Sequence, residues 1–160
     1  MYKRQPDDNP GRLQLHVARG LRVLLDFSHN PHGVRAVRPT LAHLAAQAPG
    51  ARLSICFGQA GDRSDHDLAE LAREVLACGP TVIWLRPLPG YERGRAPGEA
   101  AEVLSRAFVA LGFPAENIHL VDDEVDALER ASAWARPGDL LVHFVHIERD
   151  RVRAWLDENR

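Results

Sequence analysis

The chain has 160 residues, with 20 Lys and Arg against 22 Asp and Glu, and a formal charge of -2. That length suits a single domain able to bury roughly 70% of the surface its unfolded chain exposes. The near-even charge balance gives no basic footprint for nucleic acid or an anionic membrane surface, and no apolar run approaches the ~18 residues that cross a bilayer.

The start, "MYKRQPDDNPGR", lacks the apolar stretch of a signal peptide. It is polar and broken by prolines, so residues 1–11 read as a linker entering a domain over 12–160. "RLQLHVA" (12–18) is a short strand that would add to a sheet edge, and "LRVLLDF" (21–27) is a buried strand. A helix follows from Pro31, with Val34, Val37, Leu41 and Leu44 at helical spacing; Pro39 inside it predicts a kink or break. "RLSICFG" (52–58) is the next strand, and the helix after it is capped by Ser64 and stopped by Gly79. "TVIWLRP" is a strand, "LPGYERGRAPG" a long loop, and "GEAAEVLSRAFVALG" a helix. The strand "NIHLV", the helix "DEVDALERASAWA", the strand "LLVHFV" and the helix "RDRVRAWLDEN" complete the chain.

Five successive strand-then-helix units specify an α/β fold: a doubly wound, mostly parallel, Rossmann-like sheet of about five to six strands with helices on both faces. The order of the strands is not legible. Cys56 and Cys78 stand in no CxxC spacing. They read as reduced, partly buried thiols, which points to a cytoplasmic chain.

Open α/β sheets bind ligands at the carboxyl ends of their strands, and the loops there are unequal. The first buried strand ends in Asp26, expected to face solvent, and passes into Ser28, His29 and Asn30. The next is followed by "GDR" with Asp62 and Arg63, and the third by "GYERGRAPGE" with Glu92, Arg93, Arg95 and Glu99. Each loop alone is an ordinary turn or a solvated charged segment; their shared edge is what suggests a site. No GxxxxGK[ST] phosphate loop and no dinucleotide fingerprint is present. His29 and His32 with Asp26 come from one short loop and do not make a convincing metal set.

These residues also carry a family resemblance. "NPGRLQLHVARGLRVLLDFSHNPHG" resembles the opening of the C-terminal domain of Mur-type ligases, where a GR segment and short strand precede a strand ending in D-x-x-H-N-P. "GDRSDHDLAELAREV", "RGRAPGEAAEVL" and "ALERASAWARPGDLLVHFV" resemble the same region of cyanophycin synthetases, and the likeness runs from residue 9 to about 155.

The resemblance implies part of an ATP-dependent ligase. In such enzymes ATP phosphorylates a carboxylate, an amine attacks the acyl phosphate, and an amide forms. The P-loop and the Mg2+ ligands belong to a central domain, so the implied partner is an ATP-binding central domain in cis or in trans. Arg12, Asp26, His29 and Asn30 would contact the nucleotide, Asp26 at the ribose. Asp62, Arg63, Glu92, Arg93, Arg95 and Glu99 would hold the incoming amino acid, with arginine expected. A D-N-P-R segment, common where diaminopimelate or lysine is added, is replaced here by "GYERGRAPGE". The alternatives are the C-terminal domain of a folylpolyglutamate or peptidoglycan-precursor ligase, or a stand-alone binding module that kept the fold and lost catalysis.

Overall fold

A computed structural model describes residues 12–160. The segment 1–11, expected to be a linker, lies outside the described residues. The elements are β1 (Gln14–Ala18), β2 (Leu21–Asp26), α1 (Pro31–Ala46), β3 (Leu53–Gly58), α2 (Asp65–Leu76), β4 (Val82–Arg86), α3 (Glu99–Ala110), β5 (Ile118–Leu120), α4 (Glu124–Trp134), β6 (Leu140–Phe144) and α5 (Arg149–Glu158). They form one six-stranded sheet in the order β1-β2-β6-β3-β4-β5. β1 is antiparallel to β2, and the other pairings are parallel.

The sheet is buried on both faces because β2, β3, β4 and β6 are almost continuously apolar and adjacent side chains point to opposite layers. Leu24, Ile55, Phe57, Ile83 and Val142 pack with α1, α2 and α3. Val23, Leu25, Cys56, Trp84 and Leu141 pack with α4 and α5. β1 joins β2 through a two-residue turn in which Arg19 and Gly20 both have positive φ, 51° and 72°, the mirror-image geometry that suits hairpin twist.

The expected break at Pro39 does not occur, since α1 runs from Pro31 to Ala46 without interruption. Pro39 is exposed, so the Arg35 carbonyl that it deprives of an N–H faces water. Val34, Val37, Leu41 and Leu44, all buried, hold both halves of the helix to the sheet.

β6 lies between β2 and β3, yet the helix after β2 covers one face and the helix after β6 covers the other. Neighbouring parallel strands whose chains leave in opposite directions open a crevice at their carboxyl ends. The unequal loops meet there.

Candidate functional site at the carboxyl edge

Asp26 closes β2. It is buried, 6% exposed, contrary to the expectation of a solvent-facing carboxylate. Oδ2 accepts the Leu13 amide at 3.0 Å; Oδ1 accepts the Ser28 amide at 2.8 Å and also the Ser28 hydroxyl. A polar loop that folds back over a strand end must satisfy its own amides, and Asp26 does this for both flanking segments. An ionised carboxylate has about four acceptor positions, so three bound donors leave one. Asp26→Asn is therefore expected to lower stability by about 1.5–3 kcal/mol, the scale of a hydrogen bond to a charged group. Thermal unfolding checks it, and an unchanged midpoint would show that the three donors are not energetically coupled to the charge.

Asn30 caps α1, accepting the Gly33 amide at 2.8 Å, with Pro31 in the first turn. His29 is exposed. Its Nδ1 lies 3.1 Å from the Phe27 carbonyl, which can only accept, so Nδ1 carries the proton; Nε2, 3.4 Å from the Asn30 amide nitrogen, is left as acceptor. Arg12, Asp26, His29 and Asn30 line one cleft of about 280 Å³ together with His32 and Gly33.

A second cleft of about 280 Å³ adjoins it, sharing Phe27 and His29. Leu88, Tyr91 and Ile147 contribute apolar surface, and Asp62, Arg63 and Arg93 contribute charge. Arg93 pairs with Asp62 at 2.5 Å and stands over the Tyr91 ring, 5.3 Å from its centroid. The Arg93 hydrogen bond holds the Asp62 carboxyl below its usual range.

Arg95, Glu99 and Glu92 are placed differently. Arg95 donates to the Gly61 and Arg63 carbonyls at 3.1 and 2.8 Å and pairs with Asp65 at 2.6 Å and Glu99 at 3.1 Å. Glu99 also accepts the Ala96 amide at 2.8 Å, and Glu92 accepts the Gly90 amide at 3.1 Å. Arg95 thereby ties the loop after β4 to the loop after β3, while Glu92 and Glu99 brace the loop after β4 from within. Of the six residues expected to hold the amino acid, Asp62, Arg63 and Arg93 are the ones that line the cleft shared with His29.

Beneath both clefts runs a buried polar network that sequence reasoning missed. Arg86, the last residue of β4, pairs with Glu124 at 2.5 Å, and both side chains have no exposed surface. Glu124 also accepts the His146, Ile147 and Glu148 amides at 2.8, 3.1 and 3.3 Å. Arg86 reaches the Phe144 carbonyl at 3.1 Å and His146 Nδ1 at 3.1 Å. A guanidinium only donates, so His146 Nδ1 must accept, and its Nε2–H donates to the Ser28 carbonyl 3.0 Å away. Burial, followed by the nearby Arg86 charge, pushes His146 down to about 3. The imidazole is thus a neutral bridge from the loop after β6 to the loop after β2. Gln59 completes the frame, donating to the His29 carbonyl at 2.7 Å.

The signal for Arg86 was a charge ending an otherwise apolar strand, which cannot be buried without a counter-charge. The sequence offers Asp122, Asp123, Glu124 and Asp126 as partners, and spacing does not choose among them.

The sequence profile of the Mur ligase, glutamate ligase domain matches residues 11–144. The chain belongs to this family. Among curated relatives of this Mur ligase C-terminal domain, the cyanophycin synthetase of Crocosphaera subtropica is 29% identical over 143 residues, covering 89% of this chain and 16% of that protein. The cyanophycin synthetase of Geminocystis herdmanii is 30% identical over 138 residues, covering 86% and 15%. The chain therefore spans about one-sixth of the length of these relatives. E. coli FolC, solved with DHPP and ADP, superposes with a TM-score of 0.68 at 24% identity, covering 94% of this chain and 32% of that one. A UDP-N-acetylmuramoyl-L-alanyl-D-glutamate–2,6-diaminopimelate ligase superposes at 0.69 with 20% identity, covering 94% and 32%. At these identities the two structures speak for the fold. Among the described residues, no helix is long and apolar enough to cross a membrane.

Proposed function

We propose that this domain serves an ATP-dependent amide-bond ligase of the cyanophycin synthetase kind, closing over the nucleotide and positioning the incoming amino acid, arginine. The observation that carries the reading is the junction of two clefts at Phe27 and His29, one walled by Arg12, Asp26 and the start of α1, the other by Asp62, Arg63 and Arg93. The first suits a nucleotide: Asp26 keeps one acceptor position for a ribose hydroxyl, and the amino end of α1 with Arg12 favours phosphate. The second suits an amino acid, since Asp62 can accept a guanidinium and Arg63 or Arg93 can pair with an α-carboxylate.

Adjacency matters because the amine must reach an acyl phosphate made from the γ-phosphate. In the proposed reaction a substrate carboxylate oxygen attacks that phosphorus and ADP leaves. The amine nitrogen then attacks the acyl carbon, phosphate leaves, and the nitrogen loses a proton. The P-loop and the Mg2+ ligands are assigned to a central domain, the partner in cis or in trans, and the cytoplasm is the compartment that suits this ATP-dependent chemistry.

Titration of the isotope-labelled chain with ADP and with arginine, followed by amide NMR, tests the reading. ADP is expected to shift Arg12, His29 and Gly33, and arginine to shift Asp62, Arg93 and Ile147. Shifts of the second set by glutamate or lysine but not by arginine would overturn the arginine assignment and favour a folylpolyglutamate or peptidoglycan-precursor ligase. No shift with any nucleotide or amino acid would overturn both.

A further inference from the structure

A groove of about 580 Å³ lies between β1 and α5 and shares no lining residue with the two clefts at the carboxyl edge. Leu25, Val145 and Leu156 form its buried floor, and Arg149, Arg153 and Arg160 stand exposed along its rim. Arg160 pairs with Asp157 at 3.0 Å. The Arg149 and Arg153 guanidinium groups make no ion pair or hydrogen bond with any described residue. The field of Arg160 and Arg153 adds to burial in pushing His16, on the groove side of β1, below its ordinary value.

β1 is the edge of the sheet. Ala18 opposite Leu21 closes a two-residue turn, so Gln14, His16 and Ala18 exchange hydrogen bonds with β2, while Leu15 and Val17 direct N–H and C=O outward. No described residue meets those outward groups. Leu15 and Val17 are also 48% and 62% exposed; Leu15 stands opposite Leu24, so by strand alternation both side chains lie on the α1 face of the sheet, although Leu15 also borders the groove. β1 is five residues long and carries no Asp, Glu, Lys or Arg, and an edge strand with open backbone groups and no charge to block them is a template for another strand.

We propose that the open edge of β1, with the groove beside it, binds an extended peptide segment whose side chains alternate acidic and apolar. The outward amides and carbonyls of Leu15 and Val17 pair with its backbone. One face of the added strand covers Leu15 and Val17, and the other presents carboxylates to α5. The spacing agrees: Arg149 and Arg153 are one helical turn apart, about 6 Å along the axis, and same-face residues of a strand are about 6.6 Å apart. α5 runs beside β1, with the Asn159 carbonyl accepting the Arg19 amide at 2.7 Å at one end and Arg149 bordering the groove at the other. A second copy pairing edge to edge through β1 would bring two sets of unpaired arginines together, so the charge favours an acidic partner over self-association.

The test is fluorescence anisotropy on the 160-residue chain with a labelled octapeptide of alternating glutamate and valine. The alternating peptide is expected to bind, and to slow hydrogen exchange at the Leu15 and Val17 amides. Arg149→Glu with Arg153→Glu, both exposed and unpaired, is expected to leave the circular dichroism spectrum unchanged and weaken binding by about tenfold or more, about 1.4 kcal/mol. The same composition arranged as a glutamate block and a valine block, or a peptide N-methylated at alternate amides, is expected to lose binding. Equal affinity for the charge-reversed chain, undiminished binding of the N-methylated peptide, or a dimer joined through β1 that excludes the peptide would each overturn the proposal.

Discussion

Glu124→Ala is expected to cost this domain about 3–5 kcal/mol, the scale for breaking a buried ion pair from one side. The loss is large because Glu124 does four things at once. It neutralises Arg86, which has no exposed side-chain surface, and accepts three backbone amides from residues 146 to 148. Removing it strands a charge and three donors together. Against a typical total of about 5–15 kcal/mol, and at about 2–4 °C per kcal/mol for a domain of this size, the midpoint should fall by roughly 10 °C. Glu124→Gln keeps the shape and one acceptor oxygen and should fall less. Pairing Glu124→Ala with Arg86→Met should recover part of the loss, because the stranded charge is gone while the amides stay orphaned. Thermal unfolding of the three variants decides it: a Glu124→Ala midpoint within about 2 °C of the native chain would mean that water reaches Arg86 and the network does not hold the loops.

The contrast between Asp26 and Arg86 shows what the sequence carried. Periodicity located the strands and α-helices to within about three residues, because a strand buried on both faces leaves an apolar run that composition reveals; the break expected at Pro39 is absent from α1. Strand order was hidden, since it depends on which neighbours a helix crosses, as when α1 carries the chain from β2 past the place β6 later fills. At the site, Arg12, Asp26, His29 and Asn30 were legible as a local motif and share one cleft. The loop after β4 was legible only as charge. Its arginines look alike in sequence, yet Arg93 lines a cleft while Arg95 is spent on four partners. Arg86, Glu124, His146 and Gln59 went unseen because each acts through a partner 22 to 60 residues or more away, at distances only the folded chain reveals.

Gly61→Ala is expected to disrupt the cleft proposed for the amino acid more severely than the loss of any charge that lines it. Gly61 has no positive φ and needs none. Its constraint is proximity: a Cβ built there would stand 1.8 Å from the Glu92 carbonyl oxygen and 2.7 Å from its carbon. Both are backbone atoms, so no rotamer change relieves the overlap, and one of the two loops must move. They are joined there by the Gly61 amide donating to the Tyr91 carbonyl at 2.8 Å and by Arg95 donating to the Gly61 carbonyl at 3.1 Å. A methyl group that separates the loops breaks both bonds and displaces Tyr91, Arg93 and Asp62 together. The core beneath is untouched, so unfolding should move by no more than about 1–3 kcal/mol, the range for overpacking, while arginine-induced shifts at Asp62 and Arg93 disappear and ADP-induced shifts at Arg12 and Gly33 survive. Amide NMR reports both ligands in one sample. Retained arginine shifts in Gly61→Ala would show that the loop contact does not shape the cleft, and loss of the ADP shifts as well would show that the two clefts are one mechanical unit.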